Sequence, residues 1–228
     1  MRKNYIFHFN LYIIIIILLF GCSFATAEDF SKKSNLSDAF NHLKSRSYTQ
    51  SVEAFKKAID ESNCVDLYIG LSFASAMLCD FNMTFEASAI ALESNNLTLK
   101  YLTTNEIDLI IKNYQNLIIL TPFKSELHFA LATLYFINGS YNEASERFKN
   151  CVIIRPDCFE YQFFLAQALI CSEKYSEAAL IYQKSILIDF ESVEAHEGLY
   201  KCYVELKNFA LAETELKIIK KFDRNYSE

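Results

Sequence analysis

The sequence contains no tryptophan and few residues that break helices, with four glycines and two prolines among 228 residues. Because β-sandwiches and disordered linkers depend on turn residues or on low hydrophobicity, this scarcity argues against both. Long basic runs are also missing, and the formal net charge is −6. Binding of nucleic acid needs clustered Lys and Arg, so we expect no nucleic-acid partner. With 52% hydrophobic residues, the composition is typical of an all-α chain with a continuous core.

An export signal is predicted over residues 1–21. Arg2 and Lys3 precede an uninterrupted apolar run at residues 11–20. A membrane-spanning helix needs about 20 apolar residues, whereas a run of about ten is typical of the core of a signal peptide. An uncleaved membrane anchor is therefore the less favoured interpretation.

The residues that follow this run, Leu19-Phe20-Gly21-Cys22, resemble the lipobox of bacterial lipoproteins. The resemblance implies cleavage before Cys22, a covalent diacylglycerol and acyl chain at Cys22, and anchorage to a membrane of the bacterial cell envelope, the outer membrane or its periplasmic face being favoured. No other cofactor is expected. Residues 22–34 are then a polar tether. The alternative is cleavage at Ala27, after an A-x-A sequence, which would release a soluble periplasmic or secreted protein.

The strongest pattern in the chain is a sequence repeat in its second half, with a period of about 34 residues. Five columns keep their chemical type over three copies, and self-similarity at a fixed period indicates stacked structural units. The columns are Leu131, Leu165 and Leu199; Tyr135, Leu169 and Tyr203; Tyr141, Tyr175 and Phe209; Ala144, Ala178 and Ala212; and Phe148, Tyr182 and Leu216.

These columns resemble the tetratricopeptide repeat (TPR), in which each unit is a pair of helices. The resemblance implies an all-α, right-handed superhelical α-solenoid of TPR-like helix pairs, with about ten or eleven helices. Three units are framed at 125–158, 159–192 and 193–226. The alanine column lies where two helices of a unit cross, and the aromatic residues a turn later fill the space to the next unit.

Residues 35–124 are predicted to be a more degenerate TPR-like helical region. Tyr48 and Phe55 fit a second TPR helix, but the separation of Tyr48 from Tyr141 is not a whole number of repeat periods. Further helices are predicted at about 65–79, 84–94 and 104–120, the last beginning with a Thr103–Glu106 capping box. An odd helix or a long loop near residues 95–104 must absorb the change of phase.

The TPR resemblance also implies a candidate site. In TPR superhelices the first helix of each unit lines a concave groove through its second, fifth, ninth and twelfth residues. The corresponding residues here are Glu126, Phe129, Thr133, Phe136, Glu160, Phe163, Gln167, Ile170, Glu194, Glu197, Lys201 and Val204. Such a groove is apolar in two units and acidic along one edge, which predicts a protein or peptide partner with an apolar or basic segment. Two structural interpretations compete: glutamates at helix starts stabilise the helix dipole, and N-terminal helices cover the phenylalanines.

Sequence motifs for enzymatic chemistry are missing. The chain has no Gly-rich phosphate loop, G-x-S-x-G or H-E-x-x-H, so we expect no enzyme, no catalytic residue and no metal site. His128 and His196 are separated by two repeat periods, which favours packing in one column. The six cysteines after Cys22 include no C-x-x-C pair. Buried free thiols are favoured for them, with one disulfide, or a redox or metal role, as alternatives.

The predicted function is that of a non-catalytic, lipid-anchored adaptor that binds a protein or peptide segment in the cell envelope. The resemblance implies this class of role, because bacterial TPR lipoproteins commonly act in outer-membrane protein insertion, pilus assembly or secretion. The alternative is a carrier of a small hydrophobic ligand in a closed helical pocket around Phe129, Phe136 and Phe163.

Overall fold

A computed structural model describes residues 37–61, 64–94 and 96–222. Within these ranges the chain forms eleven α-helices and no strand, which confirms the predicted all-α class. The predicted signal peptide (1–21), Cys22, the tether (22–34) and Ala27 lie outside the described residues. The helices are α1 (37–44), α2 (Tyr48–Glu61), α3 (Val65–Met77), α4 (Phe81–Glu93), α5 (Thr104–Leu120), α6 (Ser125–Ile137), α7 (Tyr141–Ile154), α8 (Phe159–Cys171), α9 (Tyr175–Ile188), α10 (Val193–Glu205) and α11 (Phe209–Phe222).

Most of the helices pack in consecutive pairs joined by short turns. The pairs α3–α4, α6–α7, α8–α9 and α10–α11 make extensive contacts, and α7 also packs on α8 and α9 on α10. One residue in each of these turns has a positive φ, which ends the first helix abruptly. These residues are Cys79, Gly139, Glu173 and Lys207. The chain therefore stacks one pair on the next, as a TPR-like solenoid does.

The alanine column and the aromatic residues Phe148 and Tyr182 occupy the core, as predicted, whereas Phe209 of the other aromatic column is 66% exposed. Ala144 and Ala178 are fully buried, and Ala212 is 3% exposed. The rings of Phe148 and Phe164 stack with their centroids 6.1 Å apart, which joins α7 to α8. The repeat thus reflects a contact between units that recurs along the solenoid.

His128 and His196 each make a hydrogen bond of a type that recurs once in every repeat period, which explains why they occupy one column of the repeat. In three units a side chain near the start of the first helix bonds the backbone carbonyl six residues earlier, which fixes the entry of the chain into that helix. The bonds are His128 Nε2 to Pro122 O (3.0 Å), Gln162 Nε2 to Pro156 O (3.0 Å) and His196 Nε2 to Phe190 O (3.1 Å). The packing role predicted for this column agrees with these bonds.

The first half is less regular. Helices lie where they were predicted, and α5 begins with the predicted capping box between Thr103 and Glu106. The segment between α4 and α5 contains no helix among its described residues. It is held instead by Asp66, which is fully buried and accepts three backbone N–H bonds. The donors are Lys100 (3.0 Å), Tyr101 (2.9 Å) and Leu102 (2.8 Å).

Helix α5 meets α6 as the second helix of one unit meets the first helix of the next. Gln115 Nε2 donates to the Tyr135 hydroxyl at 3.2 Å, and Gln183 Nε2 donates to the Tyr203 hydroxyl at 2.8 Å, in each case 20 residues apart. On its other side, Tyr114 reaches Ser72 of α3, with 2.8 Å between the hydroxyl oxygens. Helix α5 is therefore in register with the second-half repeat.

All six cysteines of the described residues are free thiols. Cys151 and Cys202 are buried, whereas Cys79 and Cys171 are exposed. Burial raises the pKa of Cys151 well above its usual value and that of Cys202 to about 11. Because the thiolate is the reactive form, these two buried thiols are inert near neutral pH.

Candidate functional site

Two of the predicted groove residues are core residues. Phe129 and Thr133 are both fully buried. Helix α4 packs on α6, and the Phe85 ring of α4 lies with its centroid 4.8 Å from that of Phe129 and 5.7 Å from that of Tyr161. The prediction that Phe129 and Thr133 line an open groove is therefore wrong, because an N-terminal helix covers this part of α6.

Five other predicted residues lie together in one cleft. This cleft has a volume of about 530 Å³ and lies between α6, α8, the start of α10 and the end of α4. The predicted residues that line it are Phe136, Glu160, Phe163, Gln167 and Glu194. The structure thus keeps a candidate binding site where the α4 segment meets the regular units.

The remaining predicted residues do not line this cleft. The Glu126 carboxylate lies 3.9 Å from the guanidinium of Arg155, which is in the loop between α7 and α8. Ile170 is half-buried and Lys201 is exposed. The residues outside the cleft are Glu126, Ile170, Glu197, Lys201 and Val204.

Sequence reasoning missed half of the cleft lining. Leu92, Glu93 and Leu97 close it from the α4 side. The groove positions of a TPR lie on first helices alone, so the pattern gave no reason to place the end of a second helix here. The other missed lining residues, next to predicted ones in the chain, are Phe159, Phe164 and Ser192.

The floor of the cleft is aromatic and firmly packed. The Phe163 ring lies 5.6 Å from Phe159, 5.3 Å from Phe164 and 5.9 Å from Tyr182, measured between centroids. Because these rings hold one another in place, little side-chain entropy is lost when an apolar group lies on them. The floor therefore suits an aliphatic or aromatic side chain of a partner.

The rim of the cleft is acidic. Glu93, Glu160 and Glu194 are exposed at its surface, and none of the described residues that line it is Lys or Arg. Glu160 accepts a hydrogen bond from the Cys158 thiol at 3.1 Å. Burial, together with this carboxylate, raises the pKa of Cys158 to about 11, so the thiol stays a neutral donor. The three carboxylates give the cleft a negative potential.

Two other kinds of functional feature are missing from the described residues. They contain no group of three or more His, Cys, Asp or Glu that is placed to hold a metal ion. Among the same residues, no helix is both long and apolar enough to cross a membrane.

Together, the stacked helix pairs and the cleft define a TPR-like helical solenoid. Comparison with solved structures supports this class, since many solved chains match this one. A MamA structure labelled MSR-1 is 14% identical with a TM-score of 0.52, and covers 87% of this chain and 100% of its own. MamA labelled AMB-1 is 16% identical with a TM-score of 0.51, over 87% of this chain and 95% of its own.

MamA from Desulfovibrio magneticus RS-1 is 15% identical with a TM-score of 0.50, over 86% of this chain and 97% of its own. At such identities the likeness shows a shared fold alone. No protein-family model and no curated protein sequence matches the chain.

Proposed function

We propose that this protein is a non-catalytic adaptor that binds a segment of another protein in the cleft between α4, α6, α8 and α10. The observation that carries the proposal is the combination of an aromatic floor with three exposed carboxylates and no basic residue among the described residues that line the cleft. A fitting segment has an apolar side chain for the Phe163 floor and a Lys or Arg nearby for the carboxylates. The TPR-like fold supports the same role, because such solenoids present concave surfaces to peptides and proteins.

The proposed location is the bacterial cell envelope, with lipid anchorage through Cys22. The lipobox resemblance of Leu19-Phe20-Gly21-Cys22 supports this anchorage. An acyl chain and a diacylglycerol together give stable membrane attachment, because each buried methylene contributes about 0.8 kcal/mol. Outer-membrane protein insertion, pilus assembly and secretion are the adaptor roles proposed for it.

A single substitution tests the anchorage. We expect Cys22→Ala to abolish metabolic labelling with a palmitate analogue and to release the protein from the membrane fraction. The control is the substitution Cys79→Ser, at a different cysteine, which should leave labelling unchanged. If the Cys22→Ala protein still fractionates with membranes after a carbonate wash, the lipoprotein proposal is wrong.

Charge reversal at the rim tests binding in the cleft. We expect the double variant with Glu160→Lys and Glu194→Lys not to capture a protein that the wild type captures from detergent-solubilised envelopes. Glu143→Lys with Glu177→Lys is a matched control, because these residues also lie in the first turn of a helix but outside the cleft. Equal capture by both variants would exclude the cleft as the binding site.

The size of the cleft favours one alternative function, a carrier of a small hydrophobic ligand. Its volume of about 530 Å³ lies within the usual range for small-molecule pockets, roughly 300–1,000 Å³. Native mass spectrometry of the purified protein separates the two functions. A carrier shows a fixed mass increment that Gln167→Trp removes, whereas an adaptor shows the mass of the acylated chain alone.

A further inference from the structure

Three helices end with an exposed apolar residue at the same place. Ile119, Ile153 and Leu187 are the penultimate residues of α5, α7 and α9, and each is one repeat period from the next. Their exposed fractions are 76%, 70% and 86%. Other apolar residues beside them are also exposed, and the whole set is named here the edge stripe: Ile119, Leu120, Phe123, Ile153, Leu187 and Phe190.

The three helix ends are equivalent in space as well as in sequence. Each is closed by a backbone hydrogen bond of the same type, from the residue after the helix to the carbonyl four residues earlier, at 2.8, 2.8 and 3.0 Å. Each is then followed by the carbonyl that His128, Gln162 or His196 binds. The edge stripe therefore runs along one edge of the solenoid, with one step for each unit.

The fold covers little of this apolar edge: the Phe190 ring contacts the Phe222 ring of α11 at 6.2 Å between centroids, but all six side chains stay 64% or more exposed. Single exposed apolar residues are ordinary, but exposed apolar residues that recur at the same place in three successive units are typical of an interaction surface. The row does not extend to the next unit of the repeat, because the penultimate residue of α11 is Lys221. The stripe is thus confined to three helix ends.

The loops beside the stripe carry a gradient of charge. Lys124 lies beside Phe123 at one end, Arg155 and Asp157 flank the centre, and Glu191 lies beside Phe190 at the other end; all four charged residues are exposed. Because Arg155 is also 3.9 Å from Glu126, the charge changes within the stripe from positive to negative, and Lys221 lies one repeat period beyond the stripe. A surface with this order is complementary to a second copy of itself turned end to end.

We propose that two copies of this chain associate through their edge stripes, antiparallel, about a two-fold axis near Ile153. In this arrangement Ile119 of one copy meets Leu187 of its partner, and Lys124 of one copy faces Glu191 of the other. The contact is isologous, so each favourable pair occurs twice. The occupant is a second copy rather than an anionic membrane, because the flanking loops carry three carboxylates (Asp157, Asp189 and Glu191) against two cations (Lys124 and Arg155).

The size of the surface agrees with this contact. A stable protein–protein interface buries roughly 800 Å² on each partner. Six large apolar side chains with exposed fractions of 64% or more, together with the flanking loops, provide an area of that order. None of the six stripe residues is among the described residues that line the cleft, so the stripe variant leaves the lining of the proposed adaptor site unchanged.

Removal of the stripe tests the dimer. The full chain, in density-matched mild detergent, should sediment as a dimer at micromolar concentration. Ile119→Gln, Ile153→Gln and Leu187→Gln together should raise the dimer dissociation constant by about thirtyfold or more, the factor typical of lost central contacts. The matched control is Leu109→Gln, Leu180→Gln and Phe209→Gln, which removes three exposed apolar side chains outside the stripe and should leave the constant unchanged.

Charge exchange tests the antiparallel order. Lys124→Glu alone and Glu191→Lys alone should each weaken the dimer by about threefold to tenfold, and the two substitutions in one chain should restore it. A structural defect would not be restored by the second substitution, and circular dichroism checks that helicity is kept.

A monomeric wild type would overturn the proposal. So would a dimer that the stripe variant leaves intact. A monomer whose binding to phosphatidylglycerol vesicles is lost in the stripe variant would instead identify a lipid surface as the occupant, and would equally overturn the dimer.

Discussion

The two halves of this molecule are built from the same helix pair but are joined in different ways. From α6 to α11, each unit is linked to the next by contacts that recur once in every repeat period, such as the bonds of His128, Gln162 and His196 to a carbonyl. Between α3 and α6 this regular order is interrupted. Helix α4 covers one side of α6, and α5 packs on α6 in the position that the second helix of the preceding unit occupies elsewhere. The cleft lies where the interrupted half meets the regular one.

This difference shows that regular stacking and site formation depend on different interactions. Regular units are held by many similar contacts, so each one contributes modestly. The α4–α5 connection depends on one carboxylate, Asp66, which bonds three amides at positions 34 to 36 residues further along the chain. The comparison predicts that the first half is far more sensitive to a single substitution.

The largest effect is expected at Asp66. Asp66→Ala leaves three backbone amides without their acceptor, and we expect a loss of about 3–5 kcal/mol in the free energy of unfolding. The control is Asp80→Ala, which removes one local bond to the amide of Met83 at the start of α4 and should cost about 1 kcal/mol. Urea unfolding followed by circular dichroism measures both, and equal losses would contradict the proposed difference between the halves.

The repeat columns were enough to predict the fold. Ala144, Ala178 and Ala212 recur at the repeat period because they lie at the crossing of two helices, where a larger side chain would separate the backbones. Such contacts join neighbours in the chain, so their period is visible in the sequence. The capping box at Thr103 was predictable for the same reason, because its partners lie three residues apart.

The closure of the groove was not predictable in this way. Phe129 is at a groove position by its place in the repeat, and the Phe85 ring of α4 helps to bury it there. That contact depends on the path of α4, and the segment that follows α4 has no helical periodicity and is held by the bonds of Asp66. A polar residue that is satisfied by distant amides leaves no periodic pattern in the sequence.

The next effect concerns two glycines that occupy equivalent places in the two halves. A Cβ built on Gly70 would lie 2.2 Å from the ring of Phe55, and one on Gly198 would lie 2.2 Å from the ring of Tyr182. Both rings are buried, so Gly70→Ala and Gly198→Ala should each cost about 1–3 kcal/mol. Similar losses in thermal and urea unfolding would show that α2 and α3 are stacked as α9 and α10 are. A loss at Gly198 alone would contradict the equivalence.

A smaller effect is expected at two helix caps. Thr103 and Ser192 each accept a bond from a backbone amide at the start of a helix, so Thr103→Ala and Ser192→Ala should each cost about 1 kcal/mol. The Thr103→Ala variant should lose slightly more free energy of unfolding. The Thr103 hydroxyl also donates to the Glu106 carboxylate, which bonds Lys44 of α1 at 2.7 Å. Lys44→Met should remove that excess. Identical losses for both caps would show that the link to α1 adds nothing.

The smallest effect is the pH dependence of stability that comes from His128. Burial lowers the pKa of the His128 imidazole, Arg147 lowers it further, and the carbonyl of Pro122 opposes them. When pH falls below the ordinary histidine value of about 6.5, the unfolded chain takes up this proton before the folded chain does, so stability falls with acidity. His128→Gln, which copies Gln162, should reduce that loss in urea midpoints between about pH 7.5 and pH 5. His196→Gln is the control in the same column, because it removes instead a 2.6 Å contact between Nδ1 and the Glu215 carboxylate. Equal acid sensitivity in both variants would show that the two histidines are equivalent, as their shared column alone suggests.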